Sequence, residues 1–153
     1  MMLVTMQACT DLTYHIVFGT KGAVPVLCKT RREDLYRYLW GVILTRGSQL
    51  YRVGGVDNHI HLLIGLNPSV ALADLVVEMK TSSSLWIRRC RVFPEFADWQ
   101  NGYGAFSVAA EARPTWIQHI EHQELHHNGT DYAGELRKLV EAARLPWSDR
   151  YLP

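Results

Sequence analysis

The stretch VGGVDNHIHLLIGL, Val53 to Leu66, decides the fold. Its second half, HIHLLIGL, is apolar enough to lie inside a sheet, yet it carries His59 and His61 one residue apart. Side chains alternate along a strand, so the two imidazoles point one way and Ile60 and Leu62 the other. The preceding SQLYRVGGV reads as a second strand, and Gly54-Gly55 at the junction predicts a hairpin or a bulged ladder. These two strands are therefore antiparallel neighbours.

Upstream, LTYHIVFGT (Leu12–Thr20) is β-branched and aromatic and reads as another strand. Thr30-Arg31-Arg32-Glu33 has the form of a capping box. The helix it opens carries Leu35, Leu39, Val42 and Ile43 on one face and ends at Gly47. Downstream, Asn67-Pro68-Ser69 is a break. Leu72, Leu75, Val76, Met79 and Trp86 then recur at helical spacing to about Arg89. FPEFADWQNG is a loop, and GYGAFSVAA (Gly102–Ala110) is a fourth strand. Pro114 suits the first turn of a helix over TWIQHIEHQELHH, which Asn128-Gly129 ends. A last helix spans Tyr132 to Arg144 and stops before Pro146.

The order strand, helix, strand, strand, helix, strand, then two helices predicts an α+β chain of one domain, residues 1–153. It is the ferredoxin-like split βαβ pattern, a four-stranded antiparallel sheet with helices on one face plus two C-terminal helices. The other face is expected to be available for a partner or a site.

The composition excludes several classes. Apolar residues make up 48% of the 153 and charged residues 20%, an ordinary globular mix. A net charge of +1 gives no whole-chain argument for nucleic acid. Basic residues do cluster locally, at Lys21, Lys29, Arg31 and Arg32, at Lys80, and most densely at Arg88, Arg89 and Arg91 after a tryptophan. Such groups supply salt-sensitive phosphate affinity, and neighbouring aromatics can stack unpaired bases. The alternative for each is a solvated helix end. Cys9, Cys28 and Cys90 are scattered, which fits a reducing cytoplasm better than a disulfide framework. The opening residues do not read as a signal peptide, and no apolar run approaches the roughly 20 residues of a membrane helix.

Two imidazoles on an open sheet face are a start for a metal site, with a satisfied polar pair as the alternative. A further donor is sought on the penultimate helix. His119 and Gln123 stand at i, i+4 on one side, continued by His126, beside an apolar stripe of Trp116, Ile117, Ile120 and Leu125. A solvated polar face would have the same spacing.

Several of these segments, taken in order, resemble one family. TYHIVFGTK, VDNHIHLLI, MKTSSSLWI, DWQNGYGAFSV, HIEHQELHH and the tail ELRKLVEAARLPWSDRYL follow the motifs of the single-tyrosine HUH transposases. These include the insertion-sequence enzymes and the REP-associated tyrosine transposases. The resemblance covers most of the chain. It implies a ferredoxin-like fold, a homodimer, and a DNA hairpin with single-stranded flanks as partner. It also implies Mg²⁺ or Mn²⁺ held by His59, His61 and Gln123. The leading DNA-binding candidates are then Lys21 and Lys80, which lie inside family-like motifs, and Arg88 and Arg89 of the densest basic cluster. In that family a tyrosine four residues before the glutamine attacks DNA and forms a phosphotyrosine link.

Here that position is His119. Four readings compete. The covalent step is lost and a metal- and DNA-binding scaffold remains. His119 serves as nucleophile or as base for water. Another tyrosine, Tyr103 or Tyr132, takes over. Or His119 becomes an extra metal ligand. His122 stands where relatives carry Asn, and His126-His127 match a family pair or simply favour a helix C-terminus.

Overall fold

The computed structural model describes residues 8–123 and 131–153. Four antiparallel strands form one sheet in the order β2-β3-β1-β4: β1 (Thr13–Gly19), β2 (Gln49–Gly55), β3 (His59–Gly65) and β4 (Gly104–Ser107). Helix α1 (Lys29–Thr45) links β1 to β2, and α2 (Leu72–Cys90) links β3 to β4. Each link skips a strand, which is the split βαβ connection expected. The β2–β3 pair is both a hairpin and a bulged ladder, its register slipping between Leu50 and Arg52.

The principal core lies between the sheet and the first two helices. Ile16, Phe18, Ile60, Leu62 and Ile64 project to this side and meet Leu35, Leu39 and Ile43 of α1 and Leu75, Val76, Met79 and Ile87 of α2. Each such side chain, fully removed from water, contributes roughly 1.5–3 kcal/mol of transfer free energy. The loop after α2 adds Phe93, Phe96 and Trp99 to the same core, and the Trp99 indole N–H donates to Ser83 Oγ at 2.9 Å.

One expected local device is absent. Thr30 does not cap α1, because the helix already starts at Lys29 with Cys28 as its N-cap and no side-chain cap bond. Tertiary anchoring decides the start. Leu27 is fully buried and its N–H donates to Asp57 O at 2.8 Å, which fixes the chain entry too early for Thr30 to serve.

The second sheet face is not left open. Helix α3 (Arg113–Glu121) folds back across β2 and β3, and α4 (Tyr132–Ala142) lies over β1 and β4. Pro114 sits in the first turn of α3, as its fixed φ favours. The end of that helical reading, residues 124–130 with His126, His127 and the Asn128-Gly129 stop, falls outside the described residues.

Two glycines let these helices approach. Gly54 pairs with His61 across the ladder, and a Cβ there would lie 2.4 Å from Ile120 O of α3. Gly19 pairs with His59, and a Cβ there would lie 2.7 Å from Cε1 of Tyr132. Any other residue at either position would lift a helix off the sheet.

Candidate metal centre

Register places His59 and His61 on the face under α3 and α4, as alternation dictates. Both are buried, at 0% and 1% exposure. His15 of β1 lies on the same face at 1% exposure, its ring stacked on His61 with centroids 5.0 Å apart. Three imidazoles are thus removed from water among apolar neighbours, which is costly unless their nitrogens have partners.

Those partners converge on one carboxylate. His59 Nε2 lies 3.0 Å from Glu135 Oε2, and His61 Nε2 lies 2.8 Å from Glu135 Oε1. Gln123 Nε2 donates to the same Oε1 at 2.8 Å. One ligand atom from each of His59, His61 and Glu135 falls within 4.8 Å of the others, close enough to hold a metal ion. Burial works to raise the Glu135 pKa, but the two imidazoles outweigh it and hold the carboxyl well below the usual range.

The outer atoms of the imidazoles are fixed by neighbours. Asn58 Nδ2 donates to Ala23 O at 3.3 Å, which turns Asn58 Oδ1 toward His59 Nδ1, 2.7 Å away. His59 therefore carries a proton on Nδ1, and in its neutral form Nε2 is a lone pair. That lone pair faces a carboxylate oxygen. Two acceptors at 3.0 Å need a cation between them, either a proton or a metal. His61 Nδ1 sits 2.8 Å from His15 Nε2, and its buried Nε2 makes no hydrogen bond of good geometry despite its closeness to Glu135. The donor chemistry fits a divalent ion, since two imidazole nitrogens and a carboxylate are a common ligand set. His15 itself stays neutral. Burial first, then the His61 charge, push its pKa well down.

Helix α4 is seated by Tyr132, whose ring stacks on His59 at 4.4 Å between centroids. Its hydroxyl donates to Gln100 Oε1, which also accepts the Gly19 N–H at 2.6 Å. Leu136 follows into a small apolar cluster with Val17. Asp131 caps the helix by accepting the Gly134 N–H at 2.8 Å. Burial raises the Tyr132 pKa, and Glu135 adds to the shift, so the phenol is a poor source of phenolate.

The residues singled out from sequence separate. His59 and His61 are brought together, and Gln123 joins them through Glu135 within one chain. His119 lies outside that group. It is exposed on α3 with its ring 5.4 Å from Trp116, which in turn packs 4.5 Å from His15. Its charge is still felt at His15. Lys80 is held inward, its amine donating to the backbone carbonyls of Gln100 and Gly102. Arg88 bonds back to Ser84. Both line a 280 Å³ pocket with Thr81, Asn101 and Asp98, whose carboxylate offsets part of their charge. Lys21 and Arg89 are exposed.

Glu135, His15 and Gln100 were not identified as site residues from sequence, and Tyr132 entered only as an alternative nucleophile. The available signal was a carboxylate within an apolar helical stripe, Tyr132, Glu135, Leu136, Leu139, Val140. An acid on a buried face needs a partner.

No helix among the described residues is long and apolar enough to cross a membrane. Three comparisons bear on identity. Residues 8–123 match the family model described as transposase, IS200-like. The chain is 25% identical over 121 residues to the ISDra2 transposase TnpA of Deinococcus radiodurans, covering 74% of this chain and 84% of that protein. Among solved structures, a presumptive transposase of D. radiodurans R1 superposes with a TM-score of 0.62 at 24% identity, over 80% of this chain and 98% of that one. A REP-associated tyrosine transposase bound to a REP hairpin gives 0.60 at 12% identity, over 100% and 94%. The family match spans well over half the sequence and carries the paired histidines at its centre, so this chain belongs to the IS200-like, single-tyrosine HUH transposase family.

Proposed function

We propose that this protein binds hairpin or single-stranded DNA at a divalent-metal centre built on His59 and His61, as a transposase-like strand-processing protein. One observation carries the reading: two buried imidazoles on adjacent face positions of β3 turn their Nε2 atoms to a single carboxylate. A bound Mg²⁺ or Mn²⁺ would polarise a scissile phosphate there. Asn58 and His15 orient the two rings, and Gln123, the third donor that the family resemblance implies, reaches them through Glu135. Exposed Lys21 and Arg89 supply phosphate contacts, with Lys80 and Arg88 at the edge of their pocket. The reading includes a homodimer, the assembly that the family resemblance implies. The three exposed thiols suit a reducing cytoplasm.

A second reading, a non-catalytic DNA-binding module with regulatory or accessory work, is favoured by a specific observation. His119 is exposed, and Tyr132, the tyrosine that touches His59, has its hydroxyl committed to Gln100. One experiment separates the two. The protein and Mn²⁺ are incubated with a labelled hairpin oligonucleotide carrying a single-stranded 5′ flank. A protein–DNA adduct on a denaturing gel supports covalent transfer. Free cleaved product supports hydrolysis with His119 as base or nucleophile. Uncut DNA that shifts on a native gel supports the binding module. DNA that neither shifts nor is cut rejects both.

A further inference from the structure

The carboxylate of Glu135 is the least expected group in the molecule. It lies on the buried stripe of α4, and its residue is only 18% exposed in the side chain. Its two oxygens are divided between the two imidazoles, Oε2 to His59 and Oε1 to His61. The helix that carries it is fixed on both sides of it, by Tyr132 on His59 and by Leu136 against Val17. Gln123 approaches the same carboxylate from α3 with its amide N–H, at Oε1. An amide that donates to the acid acts as a support for Glu135.

We propose that Glu135 is a ligand of the metal, making a His59–His61–Glu135 set that favours a zinc-class transition ion over magnesium, with Gln123 holding Glu135 in place. The inference rests on the metal reading above and changes its ligand list and its ion. Three features support it. His59 Nε2 must be a lone pair or shared with a cation, because Nδ1 is committed to Asn58. His61 Nε2 is buried, at 2.8 Å from the acid, and makes no hydrogen bond of good geometry. Two imidazoles with one carboxylate supply one negative charge and two borderline-soft nitrogens, the ligand chemistry of zinc and its neighbours, whereas magnesium takes oxygen donors and keeps its waters. A consequence follows for the fold. The ion joins β3 to α4, so loading it should tighten the C-terminal helix onto the sheet.

The test uses the full chain stripped with chelator and titrated with Co²⁺, followed by visible absorption, then by Zn²⁺ and Mg²⁺ competition. The variants are His61→Ala, Gln123→Ala, Glu135→Ala and the isosteric Glu135→Gln, each checked for folding by circular dichroism. Wild type should bind Co²⁺ and Zn²⁺ and be displaced poorly by Mg²⁺. Gln123→Ala should weaken binding about 10–100-fold, as loss of a supporting partner does, and both Glu135 variants should weaken it further. Amide exchange over residues 132–142 should slow on Zn²⁺ addition in wild type and not in Glu135→Gln. If Glu135→Gln binds Zn²⁺ as wild type while His61→Ala does not, the centre is real and Glu135 is not its ligand. If His61→Ala also binds as wild type, the metal reading itself fails.

Discussion

Replacing Tyr132 with Phe removes one oxygen from the most closely packed contact at the centre. The ring stays on His59, 4.4 Å between centroids, and over Gly19, where no side chain intervenes. What is lost is the hydroxyl bond to Gln100 Oε1. That oxygen keeps the Gly19 N–H at 2.6 Å, so no buried acceptor is orphaned. The expected cost is therefore that of one net hydrogen bond, about 1 kcal/mol. For a chain of this size that lowers Tm by about 2–4 °C. Tyr132→Ala removes the ring as well. Tyr132 is 2% exposed, and deletion of a buried aromatic costs about 3–5 kcal/mol. Urea unfolding followed by circular dichroism measures both, with the midpoint moving and the slope unchanged. The hairpin cleavage gel is run on the same samples. Tyr132→Phe should leave its pattern as in wild type, because the phenol is held on Gln100 and its pKa is raised. Loss of a covalent adduct in Tyr132→Phe would make Tyr132 the nucleophile. A stability loss as large as that of Tyr132→Ala would mean that the hydroxyl, not the ring, seats α4. Either result refutes the reading that the Tyr132 ring only seats α4 on the sheet.

Gly54→Ala should destabilise by about 1–3 kcal/mol, the range for overpacking, since its Cβ would stand 2.4 Å from Ile120 O and must push α3 outward; urea midpoints check this, and an unchanged midpoint would mean that α3 does not rest on β2. His119→Tyr should create or strengthen a protein–DNA adduct on the Mn²⁺ hairpin gel; if metal and DNA still bind without an adduct, position 119 is not the nucleophile position of this chain. Lys21→Ala should lower DNA affinity and reduce the magnitude of the salt-dependence slope by about 1, measured by fluorescence anisotropy over a range of salt, whereas an unaltered slope removes Lys21 from the interface. Lys80→Ala should instead lower thermal stability, because its amine ties the carbonyls of Gln100 and Gly102, and a DNA defect without a stability defect would reverse that assignment.

The sheet and its two crossover helices were legible because their signals are periodic. Alternation in HIHLLIGL assigned a face to every residue, and the ladder agrees: Ile60 and Leu62 enter the core while His59 and His61 do not. Helical spacing in α1 and α2 pointed to Leu35, Leu39, Ile43, Leu75, Val76 and Met79, which are buried, and to Val42, Leu72 and Trp86, which are partly buried against the same core. What sequence missed depends on approach distance between elements. The expectation of an available face had no means of weighing Gly54 and Gly19, which matter only once Ile120 and Tyr132 are known to lie over them. The capping box at Thr30 was a local rule overridden by the anchoring of Leu27. Glu135 was passed over because periodicity counts apolar positions and does not ask why a charged one shares their face.

That omission bears on the departure at position 119. In a centre whose third donor sits on the same helix as the nucleophile, both are constrained together, because one helix must satisfy two geometric demands. Here α3 contributes Gln123 as a hydrogen-bond donor to Glu135, while α4 brings the carboxylate to the imidazoles. The centre is then held by β3 and α4, with Gly19 and Tyr132 setting their separation. On the proposed ligand set the outward side of α3 would be released from the geometry of a metal, and His119 on that side is exposed. A histidine at position 119, the nucleophile position that the family resemblance implies, is therefore compatible with an intact centre, since the groups proposed to hold the ion stand on β3 and α4.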